Sequence, residues 1–386
     1  MNFASDKRII LCIRQVKEYI VIIYTNLGPY HLARLKALAK LTPHLLAIEV
    51  GSKQGIYPWR PEKKNLPYVL ETLFDQPVEE VSIKEQKKAI VYCLEKYNPV
   101  TVIVSGYGHP VMRIAASWAR KKRGKDILLF STTELDHPRV WWREWIKSRF
   151  IKKFHALAVS GKRSAQYAQK LGVAREKIFV IGNVVDNEHY QKLAKTFRAN
   201  ETEVRKTLKL PREFFLYVGR LSKEKNLPML LKAFFSYQKS GGIWDLVLVG
   251  SGPEEEKLKE MASILNVHIH FAGWKQFEEL VAYYALAKCF ILPSMSETWG
   301  LVVNEAMACG LPILVSKNCG CVPELCKDGI NGHIFDPKDV EQLASLMLSY
   351  SKGDFDLKKM RTESQRIITK YTPDAWARNL LKAISI

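Results

Sequence analysis

Short apolar, β-branched runs alternate along the chain with longer stretches in which apolar residues return every three or four positions. The short runs at 20–24, 44–50, 101–105, 126–131, 156–160 and 177–181 read as buried strands, and stretches such as 30–40 and 83–97 carry the helical period between them. A second series of short runs follows at 214–218, 245–249, 268–271, 289–292 and 312–315, again with helical stretches between. Apolar runs of this length, bounded by turn residues and separated by amphipathic helices, describe βα units in a parallel sheet covered on both faces. Two series predict two doubly wound α/β domains.

Between them, residues 186–211 lose the strand pattern and become polar and charged, although 191–208 retain enough periodicity to be partly helical. The predicted organisation is therefore 1–195, 196–370 and a last helical segment, 371–386, that packs back toward the first domain. A length of 386 residues suits two domains of ordinary size. In such an arrangement a ligand sits in the cleft, at the carboxyl ends of the strands.

Composition adds a partner. The net charge is +20, and +16 of it falls within residues 1–204. A one-sided excess of that size points to an anionic partner for the first half: a membrane surface, a phosphorylated acceptor or nucleic acid. The seven cysteines have neither a disulfide framework nor paired metal-ligand spacing, and Cys319, Cys321 and Cys326 lack a matching partner set. A reduced, cytoplasmic compartment and no metal are expected. No run reaches the ~20 apolar residues of a membrane span. Residues 1–19 are interrupted by Asp6, Lys7, Arg8, Arg14, Lys17 and Glu18, unlike the apolar core of a signal peptide.

Candidate chemistry gathers in the second half. The run 214–218 leads into Gly219-Arg220 and then Lys225, which sets two cations on one short segment, as a departing diphosphate requires. The run 245–249 ends in Gly250-Ser251-Gly252-Pro253, where backbone can approach a ligand closely. Read singly, the first is an ordinary solvated loop and the second a tight βα turn. The most informative block runs from Phe290 to Gly310: a strand, a loop with Glu297, then a helix starting near Gly300 with Glu305 one turn in. First-turn amides have no partner inside the helix and can hold phosphate oxygens. Two carboxylates with seven residues between them can accept hydroxyls from different parts of one elongated ligand.

Together these motifs, from Tyr217 to Ala344, resemble family 4 of the retaining glycosyltransferases (the group 1 type), whose fold is GT-B: two facing Rossmann-like domains with a cleft between. The resemblance implies that Arg220 and Lys225 bind a donor diphosphate, that Glu305 holds the nucleotide ribose, and that Glu297 contacts the transferred sugar. It also implies that Gly219, Gly300, Leu301 and Val302 lie against the donor, that Gly273 lies where the base is accommodated, and that no cofactor or metal is needed. The expected activity is transfer of a hexose from a nucleotide-sugar to a glycan or lipid-linked acceptor with retained configuration, in cell-envelope or exopolysaccharide synthesis. A nucleotide-sugar epimerase or hydrolase on the same fold is the nearest alternative. A basic nucleic-acid-binding protein is the alternative of another class, though no recognition signature accompanies the charge.

The first half resembles the family less closely. The first strand ends in Thr25-Asn26-Leu27-Gly28-Pro29, with one glycine where relatives often have two, so Gly28 is expected as a backbone contact to the donor. His109, after the run 101–105, is a candidate sugar or acceptor contact, set against the commoner role of a structural hydrogen-bonding histidine. Residues 112–154 hold 12 basic and 4 acidic residues, and Trp142, Trp145, Ile146, Phe150 and Phe154 can share a helical face. Such a helix either lies on an anionic membrane surface or packs on its own domain core.

Overall fold

A computed structural model describes residues 18–53 and 63–386 of the chain. Most of the segment 1–19 discussed above therefore lies outside the described residues. The first half forms a seven-stranded parallel sheet from β1 (Ile20–Tyr24), β2 (Leu45–Lys53), β3 (Val69–Pro77), β4 (Thr101–Ser105), β5 (Lys125–Phe130), β6 (Ala156–Val159) and β7 (Ile178–Val180). The second half forms a six-stranded parallel sheet from β8 (Phe214–Val218), β9 (Asp245–Val249), β10 (Ile269–Gly273), β11 (Cys289–Leu292), β12 (Ile313–Ser316) and β13 (Gly332–Phe335). The spatial orders are β3-β2-β1-β4-β5-β6-β7 and β10-β9-β8-β11-β12-β13. Each sheet thus reverses direction once, between β1 and β4 and between β8 and β11. These are the switch points where strand-end loops part and leave a crevice.

Nearly every inner strand is buried on both faces, which is why these strands read as continuous apolar runs. Two strands escaped the sequence reading, for different reasons. β3, with the sequence VLETLFDQP, is a half-exposed edge strand with no apolar run. β13 is four residues long and follows directly on a turn. The connection between the sheets is helical almost throughout, as Asn187–Ala199 and Glu201–Leu208.

The last helix, Pro373–Ile384, crosses back to the first sheet. Its Trp376, Ala377, Leu380 and Ala383 are buried in one core with Ile22, Leu35, Leu38 and Ile103. Arg34 ties this helix to the point where the chain leaves the first domain. Its buried guanidinium donates two hydrogen bonds to the Val184 carbonyl, at 3.0 and 2.7 Å, and lies over the rings of Tyr30 and Trp376.

Candidate active site

The loop after β1 is the first-domain wall of the cleft, and a buried carboxylate shapes it. Glu49 accepts a hydrogen bond from the Leu27 N–H at 2.9 Å and another from the Thr72 hydroxyl at 3.1 Å. Its charge is matched by Lys63 at 2.6 Å. One residue on, the Gly28 N–H donates to Nδ1 of His31 at 2.9 Å, as the N-cap of the helix Pro29–Ala39. Burial and the charge of Arg34 hold the His31 imidazole well below its usual pKa, so it is neutral and its Nδ1 is free to accept. Gly28 lines the cleft, but its own N–H is engaged within the loop.

Opposite, three strand ends converge. The Gly250 N–H donates to the Gly273 carbonyl at 2.8 Å, and the Gly219 N–H to the Val249 carbonyl at 3.0 Å. A Cβ at Gly250 would sit 1.9 Å from the Gly219 oxygen, and φ is +137° there, so only glycine lets these loops approach. Arg220 follows directly. Lys225 closes the turn Lys223–Lys225 and forms a largely buried ion pair with Glu297. The backbone holds Glu297 in place: its carbonyl accepts the Gly320 N–H at 2.9 Å, and Met295 N–H two residues earlier donates to the Glu224 carbonyl.

Gly300 takes a left-handed conformation, φ +98°, as the N-cap of the helix Leu301–Ala308. The helix has no side-chain cap, and its first residues, Leu301 and Val302, line the cleft. Glu305, a little over one turn along, accepts a hydrogen bond from the Tyr284 hydroxyl at 2.8 Å. Loss of hydration raises its pKa to about 7, against the opposing pull of hydrogen bonds from Tyr284 and Tyr190.

The loops described above enclose one cavity of about 640 Å³ between the domains. Its first-domain side includes Asn26, Gly28, Tyr30 and Ser131; its second-domain side brings together Gly219, Arg220, Lys225, Glu297, the residues Gly300–Val302, and Glu305. A second cavity of about 380 Å³ adjoins it and shares Tyr30 and Glu305. Gly273 does not line either cavity, whereas the next two residues, Trp274 and Lys275, line the larger. His109 stands apart from both: it caps the helix Pro110–Lys121, its Nδ1 accepting the Val111 N–H at 3.4 Å. The sequence reading missed Trp274 and Lys275, whose only signal was their place after a strand-end glycine. It also missed Glu49 and Tyr284, which act from inside ordinary apolar stretches. Among the described residues no group of three His, Cys, Asp or Glu stands together as a metal cluster, and the six described cysteines are free and buried.

Residues 199–367 match the family Glycosyl transferases group 1. An uncharacterized 41.2 kDa protein in the cps region of Klebsiella pneumoniae is 24% identical over 306 residues, 77% of this chain and 82% of that one. The amylovoran biosynthesis glycosyltransferase AmsK of Erwinia amylovora is 30% identical over 150 residues, and the match spans 37% of each protein. The structure of Anabaena Alr3699/HepE in complex with UDP superposes with a TM-score of 0.74 at 15% identity, over 95% of this chain and 99% of that one. The fold is GT-B, and the C-terminal half of the chain, residues 199–367, matches the group 1 glycosyltransferases. It is a glycosyltransferase, similar to an uncharacterized protein of a cps region and to a glycosyltransferase of amylovoran biosynthesis.

Proposed function

We propose that the cavity binds a nucleotide-diphospho-sugar and transfers its hexose, with retained anomeric configuration and without a metal ion, to a glycan or lipid-linked acceptor. The observation that carries this reading is the convergence of Arg220, Lys225, Glu297, the Leu301 and Val302 amides and Glu305 on one cavity walled by both domains. Anabaena Alr3699/HepE has been solved with UDP-glucose, which supports a donor of this class.

Each group has a role that its surroundings suit. Arg220 and Lys225, with the helix amides, neutralise the diphosphate as the bond from the anomeric carbon to the phosphate oxygen breaks. Glu297 accepts sugar hydroxyls while its pairing with Lys225 keeps both side chains oriented toward the donor. Glu305, the deeper carboxylate, accepts the ribose hydroxyls. The acceptor hydroxyl attacks the anomeric carbon from the face the diphosphate leaves, and its proton passes to the departing phosphate oxygen, so no protein base is required. Gly28 and the loop fixed by Glu49 close the first-domain side over the phosphates. Cell-envelope or exopolysaccharide assembly is the setting that the cps-region and amylovoran relatives support.

The test is product analysis. Incubated with its donor and a polysaccharide or lipid-linked acceptor in the presence of a chelator, the enzyme is expected to form a glycoside of unchanged anomeric configuration. Arg220→Ala and Lys225→Ala should each lower kcat by about a hundredfold or more. Near-normal turnover in both variants would remove these residues from the mechanism. Free sugar or an epimer formed without acceptor would replace transferase by hydrolase or epimerase.

A further inference from the structure

The helix Trp141–Ile151 presents a face that an ordinary surface helix does not. At about 100° per residue, Trp141, Trp142, Trp145 and Ile146 fall within one arc. They are 81, 46, 54 and 53% exposed. The structure divides the aromatic face expected from sequence in two: Ile151 and Phe154 are buried in the domain core with Phe150 against them, while the three tryptophans and Ile146 point outward. The core is thus already filled from the other side of the helix, and the outer face is surplus to folding.

Charge is sorted the same way. The helix's one carboxylate, Glu144, turns inward, where it pairs with Lys147 and Arg139 and accepts from the Tyr167 hydroxyl. Arg143 and Arg149 remain exposed, and their guanidinium groups lie over the rings of Trp142 and Trp145 at 5.1 and 4.1 Å. Lys152 and Lys153, just past the helix, are exposed as well. Three indoles interleaved with cations and free of carboxylates is the composition of a helix at a lipid–water boundary, where indoles sit at headgroup depth and cations meet lipid phosphates.

The face is also coupled to the cleft. Ser131, at the end of β5, lines the donor cavity, and the chain reaches Trp141 ten residues later. Between them, the Asp136 carbonyl accepts the Ser296 hydroxyl of the opposite domain at 2.7 Å, next to Glu297.

We propose that Trp141, Trp142, Trp145 and Ile146, with Arg143 and Arg149, seat the N-terminal domain on an anionic lipid surface and set the cleft mouth beside it. This inference stands apart from the transfer chemistry, because it concerns a face that contributes nothing to the cavity.

The test is flotation of the full chain with phosphatidylcholine vesicles, with and without phosphatidylglycerol, read also by tryptophan emission. The protein is expected to float with the anionic vesicles only, less at high salt, with a blue-shifted emission. Trp141→Ser/Trp145→Ser should weaken binding by about tenfold or more, and Arg143→Glu/Arg149→Glu by about a hundredfold or more. Both variants should keep the parent's melting temperature, which shows that the fold survives. Equal flotation on both vesicle types, or variants that float like the parent, would overturn the proposal. So would a parent dimer that the tryptophan variant turns into monomer, since a second copy would then cover the face.

Discussion

At the residue scale, the two carboxylates of the cavity are set to differ. Glu297 has a cation beside it, whereas Glu305 has only hydroxyl donors and lost hydration, which is why its pKa rises from 4.5 to about 7. The shift has a sign that can be measured. Without donor, the unfolded carboxyl ionises first, so the fold loses some stability as pH rises from about 4.5 to about 7. In the proposed donor complex the ribose hydroxyls would donate to the carboxylate and favour its ionised form, so donor affinity should rise with pH through about 7 and binding should release a proton. Calorimetry in buffers of different ionisation enthalpy reads that proton directly. Glu305→Gln should bind more weakly, with no such pH dependence; a parent affinity that is flat from about pH 6 to about pH 8 would refute the assignment. Little of this was legible beforehand. The Glu297–Glu305 spacing showed two carboxylates on one ligand-facing segment, but Tyr284 and Tyr190, which modulate one of them, come from distant helices with nothing distinctive in their own sequence.

At the scale of elements, the apolar runs marked most of the strands because those strands are buried on both faces. β8, β9 and β11 fall where the runs lie. Edge strands obey a different rule: β3 keeps half its side chains in solvent, so its sequence has no run to read. The strand-end loops were legible as glycine clusters, yet their mutual contacts were not. Gly250 is held against Gly219 and Gly273, and those pairs are far apart in sequence. The same applies to Gly28, marked as a backbone contact by its neighbours in the chain, whose N–H the fold assigns to His31. The last helix gives a prediction at this scale. Trp376 is fully buried against the first sheet and beside Arg34, although it lies at the far end of the chain. Trp376→Ala should cost about 3–5 kcal/mol and loosen the first domain in particular. Hydrogen exchange resolved by peptide should show lost protection in β1 and the helix Pro29–Ala39; a loss confined to residues beyond 213 would contradict it.

For the whole molecule, the two domains meet through few but specific contacts. The Lys162 N–H donates to Glu324 at 2.7 Å, Arg163 to the Cys319 carbonyl at 2.8 Å, and Asn304 to the Asn183 carbonyl at 2.9 Å. The cavity between the domains is lined from both sides, with Asn26, Gly28, Tyr30 and Ser131 facing Arg220, Lys225, Glu297 and Glu305. Among the described residues no helix is long and apolar enough to cross a membrane; the surface proposed to meet lipid is the basic, tryptophan-bearing side of the first domain. The charge excess visible in the sequence acquires a location in this way: part of it borders an aromatic face, and that border needed the fold to be seen.

The central claim is that the interdomain cavity is a nucleotide-sugar site. Thermal stabilisation of the full chain by UDP-, GDP-, ADP- and dTDP-sugars, beside an Arg220→Ala/Lys225→Ala variant, tests it most directly. One nucleotide class is expected to raise the melting temperature of the parent, since a ligand bound only by the folded state stabilises by mass action, and to leave the variant unmoved. No shift with any nucleotide-sugar, or an equal shift in parent and variant, would contradict the claim.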